Sequence, residues 1–148
     1  MNAPGNRQRG RQLALQALYE ADLAFHNAGQ ALEALLEGEH VPPGPAEAAR
    51  SILRGVMDQR IEVDSLIEKA APLWPLAQVA AIDRNVLRLA AYELVLDHGQ
   101  KPPDAVIINE AVELAKRFGT ESSARFVNGV LGTLTRGARA QGTHVATS

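Results

Sequence analysis

The chain has 148 residues, 46% of them apolar, which suits one domain with a single core that needs no metal or crosslink. It contains no cysteine, which excludes disulfides, thiolate metal sites and cysteine nucleophiles and fits a cytoplasmic setting. A net charge of -2 excludes strong overall attraction to polyanions; no apolar run approaches the roughly 20 residues of a membrane span, and the N-terminus lacks a signal peptide's apolar segment.

Charge is unevenly placed. Arg7, Arg9 and Arg11 precede any acid, whereas Glu33, Glu37, Glu39 and Glu47 dominate the stretch up to Arg50. A first helix is expected from Arg9, with Leu15, Leu18, Asp22 and Phe25 near one face and Ala14, Ala17 and Ala21 beside them. The arginines stand at the positive end of its dipole, where each cation is unfavourable by about 0.3–1 kcal/mol. They are either a solvated basic tail or an anion-binding arm that forks onto phosphate oxygens, and spacing leaves both open.

A break at Asn27 to Gly29 precedes a short helix through Ala31, Leu32, Leu35 and Leu36. Val41-Pro42-Pro43-Gly44-Pro45 is expected as a loop, because consecutive prolines remove donors and bias each preceding residue away from helix. A long helix follows, in which Ala49, Ile52, Val56, Gln59, Val63, Leu66 and Ala70 recur at four- and three-residue steps. That seam is read as packing within the chain rather than as an intermolecular coiled coil. Pro72 ends the helix, and Trp74 in the connection beyond is read as a core anchor rather than a stacking platform.

Asp83 is placed to cap the next helix, with Ile82 and Leu87 spaced as a hydrophobic staple. Leu87, Ala90, Ala91, Leu94 and Val95 face inward, while Arg84, Arg88 and Tyr92 lie four apart on another face, either as a strip for a partner or as a solvated flank. The stretch from Asn109 to Leu131 reads as two helices meeting at Gly119-Thr120. In the first, Ile107, Ala111, Leu114, Ala115 and Phe118 form the apolar stripe, and Glu113 pairs with Arg117 outside. Gly119 suits a left-handed residue past the helix end, and Thr120 caps the next helix. There Val127, Val130, Leu131 and Leu134 point inward, with Arg125, Phe126 and Asn128 towards the flanks. Gly129 and Gly132 each cost a helix about 1 kcal/mol relative to alanine. They call for close backbone approach, the favoured reading, or for ligand access. Strand-like alternation is weak throughout, so the expected fold class is all-α.

His26, His40, His98 and His144 share no metal-ligand spacing, and the phosphate-binding, dinucleotide, zinc-protease and serine-hydrolase motifs are missing. Most carboxylates stand beside basic residues on exposed faces. The expectation is a binding protein that is not an enzyme and takes no metal or cofactor.

Three blocks identify its relatives: RQRGRQLALQALYEADL at 7–23, AAIDRNVLRLAAYEL at 80–94 and VIINEAVELAKRFGTESSARFVNGVL at 106–131. Together they resemble the NusB family of bacterial transcription antitermination factors, most specifically in INEAVELAK followed by FVNGVL. The resemblance implies about seven helices in two packed three-helix subdomains, here about 7–71 and 75–139 of a single domain 1–139, followed by a disordered tail at 140–148. It implies no catalysis, and two partners: NusE, a small-subunit ribosomal protein, and single-stranded boxA RNA in nascent ribosomal RNA transcripts. The family's RNA surface maps onto Arg7, Arg9 and Arg11, where Gln8 and Gly10 interrupt the denser arginine run of many relatives, and onto Gly119, Ser122, Arg125 and Phe126. NusE would dock across Tyr19, Asp83 and Arg84. Against this stands a protein-only helical scaffold or homodimer without direct RNA contact, since homodimers also occur in the family.

Overall fold

The computed structural model describes residues 5–24 and 26–140. Phe25, His144 and the tail from 141 lie outside them, so the expectations made for those positions do too. The described residues contain seven α-helices and no strand: α1 (Asn6–Ala24), α2 (Ala28–Gly38), α3 (Pro43–Asp58), α4 (Arg60–Ala70), α5 (Ala81–Ala91), α6 (Asp104–Phe118) and α7 (Ser123–Ala140). A 3-10 turn at Leu76–Gln78 precedes α5, and a π-helical turn at Tyr92–Leu96 extends it. The chain divides into two compact units, Met1–Asp58 and Gln59–Ser148.

In the first unit α1 packs against α3 and α2, burying Leu13, Leu15, Leu18, Leu32, Leu36, Ile52, Leu53 and Val56. The α1–α3 contact is close because Gly10 has no side chain. A Cβ there would stand 2.8 Å from Ala48 Cβ and 2.9 Å from Ala49 N. The glycine that interrupts the arginine run is therefore a packing residue. Pro43 and Pro45 belong to the first turn of α3 and not to a loop. First-turn amides have no helical acceptor, so proline removes nothing there. Asn27 caps α2 by accepting from the Gln30 N–H at 2.9 Å. On the surface the Arg50 guanidinium forks onto Glu33 through Nε and Nη2, each at 2.8 Å. These hydrogen bonds hold the Glu33 carboxyl below its ordinary range and push Arg50 further up.

The long seam helix is two helices. Gln59, with φ -116° and ψ 31°, leaves helical geometry and resets the phase, so α4 buries Val63 and Ile67 while Leu66 and Ala70 are only half-buried. In the second unit α4, α5, α6 and α7 pack on one another around Leu87, Leu94, Ile107, Leu114, Val127, Leu131 and Leu134. The inward rows of α6 and α7 are those the spacing predicts, except that Phe118 at the end of α6 is only half-buried. Arg88 departs from both sequence readings, being neither a partner strip nor a solvated flank. It is buried, with Nε 2.9 Å from Asp64 Oδ1, Nη2 3.3 Å from Asp64 Oδ2 and Nη1 3.0 Å from Asn85 Oδ1. Asp64 also accepts from Arg60 Nε at 3.1 Å, so the buried cation meets a shared carboxylate.

Candidate nucleic-acid interface

Each unit carries one of the predicted basic surfaces. On the first, α1 begins at Asn6, three residues before the predicted start, which places Arg7, Arg9 and Arg11 inside the helix. They are not equivalent. Arg7 is half-buried, Arg9 is exposed, and Arg11 is 3% exposed. Arg11 thus lies on the packed side of α1 and lacks the open guanidinium that a phosphate contact needs. Arg9 Nη2 meets Glu39 Oε1 at 3.2 Å, so an acid from the end of α2 partly neutralises the most accessible arginine. Spacing along α1 could not reveal that pairing, because the two residues are thirty apart.

On the second unit, the break between α6 and α7 is a built turn. Gly119 is extended, at φ -98° and ψ -161°, and not left-handed. Its requirement for glycine is steric, since a Cβ would stand 2.7 Å from Ala115 O and crowd the Ser123 side chain. The buried Ser123 Oγ accepts from the Thr120 N–H at 2.9 Å and contacts Thr120 Oγ1 at 3.2 Å. The capping at the start of α7 is thus the reverse of the expected arrangement: Ser123 reaches back to satisfy Thr120. Ser122 is exposed, with its Oγ 3.3 Å from Thr120 Oγ1. One turn on, Arg125 is exposed and pairs with no acid among the described residues. Phe126 is half-buried and meets Trp74 edge to face, ring centroids 6.0 Å apart at 74°.

Trp74 overturns the core-anchor expectation, being 60% exposed beside Leu73 at 88%. The available signal was its place between Pro72 and Pro75, which keeps it out of any helical apolar row. On the outer face of α6, Glu113 pairs with Lys116 at 3.5 Å, while Arg117 lies over the Phe118 ring at 5.0 Å, so the expected Glu113–Arg117 pair is replaced. Gly129 and Gly132 also depart from close helix packing. A Cβ on Gly129 meets nothing within 4 Å among the described residues, and one on Gly132 meets only the flexible end of Arg136.

The residues expected to dock a protein are divided as well. Tyr19 stands half-buried on α1. Asp83 does not cap α5, whose cap position is Ala80; it lies in the first turn, 8% exposed, and its buried Oδ1 has no hydrogen-bond partner among the described residues. Arg84 Nη1 holds the preceding 3-10 turn through Leu76 O at 3.2 Å and Val79 O at 2.9 Å. No group of three or more His, Asp or Glu among the described residues is placed to hold a metal ion, and no described helix is long and apolar enough to cross a membrane.

A family model described as the NusB family matches residues 8–136. The transcription antitermination protein NusB of Chloroflexus aggregans is 47% identical over 128 residues, covering 86% of this chain and 85% of that protein. NusB of T. maritima superposes with a TM-score of 0.81 at 37% identity, covering 92% of this chain and 93% of that one. A chain from a crystal structure of the antitermination factors NusB and NusE in complex with double-stranded RNA gives a TM-score of 0.82 at 26% identity, covering 91% and 99%.

Proposed function

The chain belongs to the NusB family, and on that premise we propose that it is a non-catalytic, RNA-binding transcription antitermination factor of the cytoplasm. With NusE it binds single-stranded boxA RNA in nascent ribosomal RNA transcripts. The observation that carries this reading beyond family membership is the start of α7, where an exposed Arg125 that pairs with no acid among the described residues precedes the half-buried ring of Phe126. A guanidinium beside an aromatic ring provides the phosphate contact and the stacking surface that readers of single-stranded RNA use.

Each unit contributes one RNA surface. On the first, Arg7 and Arg9 contact phosphate, while Arg11 is buried on the packed side of the same helix. On the second, Arg125 and Phe126 make the contacts, Ser122 adds an exposed hydroxyl, and Gly119 allows the turn that positions them. For NusE, Tyr19 and Asp83 are the contact candidates. The orphaned Asp83 Oδ1 favours a donor from a partner, because a buried acceptor without one is costly. Within the second unit, Arg84 shapes the surroundings of Asp83 by holding the 3-10 turn.

The test is binding of a labelled boxA-type RNA and of a scrambled control, each with and without NusE. Preference for the boxA-type RNA, strengthened by NusE, supports the function. Equal, weak binding of both RNAs whether or not NusE is present would leave the protein-only scaffold.

A further inference from the structure

We propose that Trp74 joins Phe126 in seating one unpaired RNA base, and that the bare helix surface at Gly129 gives the base or its ribose room to lie there; this rests on the RNA-binding reading above and adds residues to it. Tryptophan is usually well buried, yet Trp74 is 60% exposed. The loop is not slack at this point: the Trp74 N–H donates to Ala71 O at 3.1 Å, and Pro72 and Pro75 restrict the backbone on either side. The edge-to-face contact with Phe126 fixes the indole further, while its exposure leaves flat aromatic surface open. A fixed, exposed aromatic face is what a nucleic-acid base stacks on, and stacking needs no hydrogen-bond code.

Gly129 is an independent observation on the same helix. It lies three residues after Phe126 and four after Arg125, which places all three on one side of α7. Glycine weakens a helix interior, and here nothing within 4 Å among the described residues requires it. A side chain left out without an internal reason points to something that approaches from outside. The cation of Arg125 and the hydroxyls of Thr120 and Ser122 sit on the same short segment as Phe126, and they favour a phosphate-bearing ligand over the apolar face of a protein.

Trp74 is the only tryptophan, so its emission reports on this seat directly. The intact chain is titrated with a short boxA-type RNA, with and without NusE, while anisotropy of a labelled copy of that RNA measures binding independently. Trp74 emission should be quenched along the same binding curve. Trp74→Phe keeps a ring and should bind within about twofold of the parent, whereas Trp74→Leu should bind about tenfold more weakly. Gly129→Leu should weaken RNA binding several-fold without lowering Tm, an outcome that a purely structural glycine would not give.

RNA binding by anisotropy with unchanged Trp74 emission and an unaffected Trp74→Leu variant overturns the seat and leaves the RNA-binding function standing. Emission that responds to NusE alone, and no further to RNA, assigns Trp74 to the protein partner and also overturns it. Absence of RNA binding with and without NusE overturns the function and the seat together. Should Trp74→Leu lower Tm, quenching of the parent and the affinity of Trp74→Phe decide.

Discussion

Alanine at Gly10 and alanine at Gly129 should change stability in opposite directions, although both glycines lie inside helices and one helix-propensity scale would rank them alike. Alanine is favoured over glycine in a helix interior by about 1 kcal/mol. At Gly129 that gain is unopposed, because the new Cβ meets nothing within 4 Å among the described residues. At Gly10 the new Cβ would stand 2.8 Å from Ala48 Cβ and 2.9 Å from the Ala49 backbone nitrogen. Carbon atoms in contact prefer about 3.5–4.0 Å, so α1 and α3 must separate by the better part of an ångström. The obstacle is helix backbone and a Cβ, neither of which can rotate away. The cost therefore belongs at the upper end of the roughly 1–3 kcal/mol typical of overpacking. Subtracting the propensity gain leaves Gly10→Ala less stable by about 1–2 kcal/mol. At about 2–4 °C per kcal/mol for a chain of this size, Tm should fall by about 2–8 °C for Gly10→Ala and rise by about 2–4 °C for Gly129→Ala. Thermal unfolding followed by circular dichroism at one protein concentration measures both. A Gly10→Ala variant as stable as the parent would refute the close-packing account of the interrupted arginine run.

Further outcomes follow from the charged groups and the rings. Replacing Arg7 and Arg9 with glutamine should weaken RNA binding and flatten its salt dependence by about 0.7 per lost phosphate contact in a log–log plot. Glu39→Gln, which releases Arg9, should strengthen binding at low salt. Phe126→Leu should weaken RNA binding while leaving Tm within a few degrees, because the ring is only half-buried. Arg88→Met removes the buried partner of Asp64 and Asn85 and should cost about 2–4 kcal/mol in denaturant unfolding, less than a fully broken pair because Arg60 still meets Asp64. The Glu33 carboxyl titrates below its ordinary 4.5 in the folded chain, chiefly through its hydrogen bonds from Arg50. The pair's contribution is therefore complete above that ordinary value and is lost as pH falls through the lowered folded one. The stability difference between parent and Glu33→Gln should accordingly be small at pH 7, since the pair is exposed, and should vanish in acid.

Much of this protein was legible in the order of its residues. A 3.6-residue apolar period marks which side of a helix faces a core, so the inward rows of α6 and α7 and the all-α class could be read directly. The family was legible too, in the blocks at 7–23, 80–94 and 106–131. Periodicity does not say what a residue will meet. Glu39 reaches Arg9 from another helix, Asp64 draws Arg88 into the interior, and Trp74 turns outward onto the ring of Phe126. Those are contacts between residues 24 to 52 positions apart, set by how helices pack. The glycines make the same distinction. The sequence shows where side chains are missing, but only the packed structure separates Gly10, filled by a neighbouring helix, from Gly129, whose missing side chain leaves open surface.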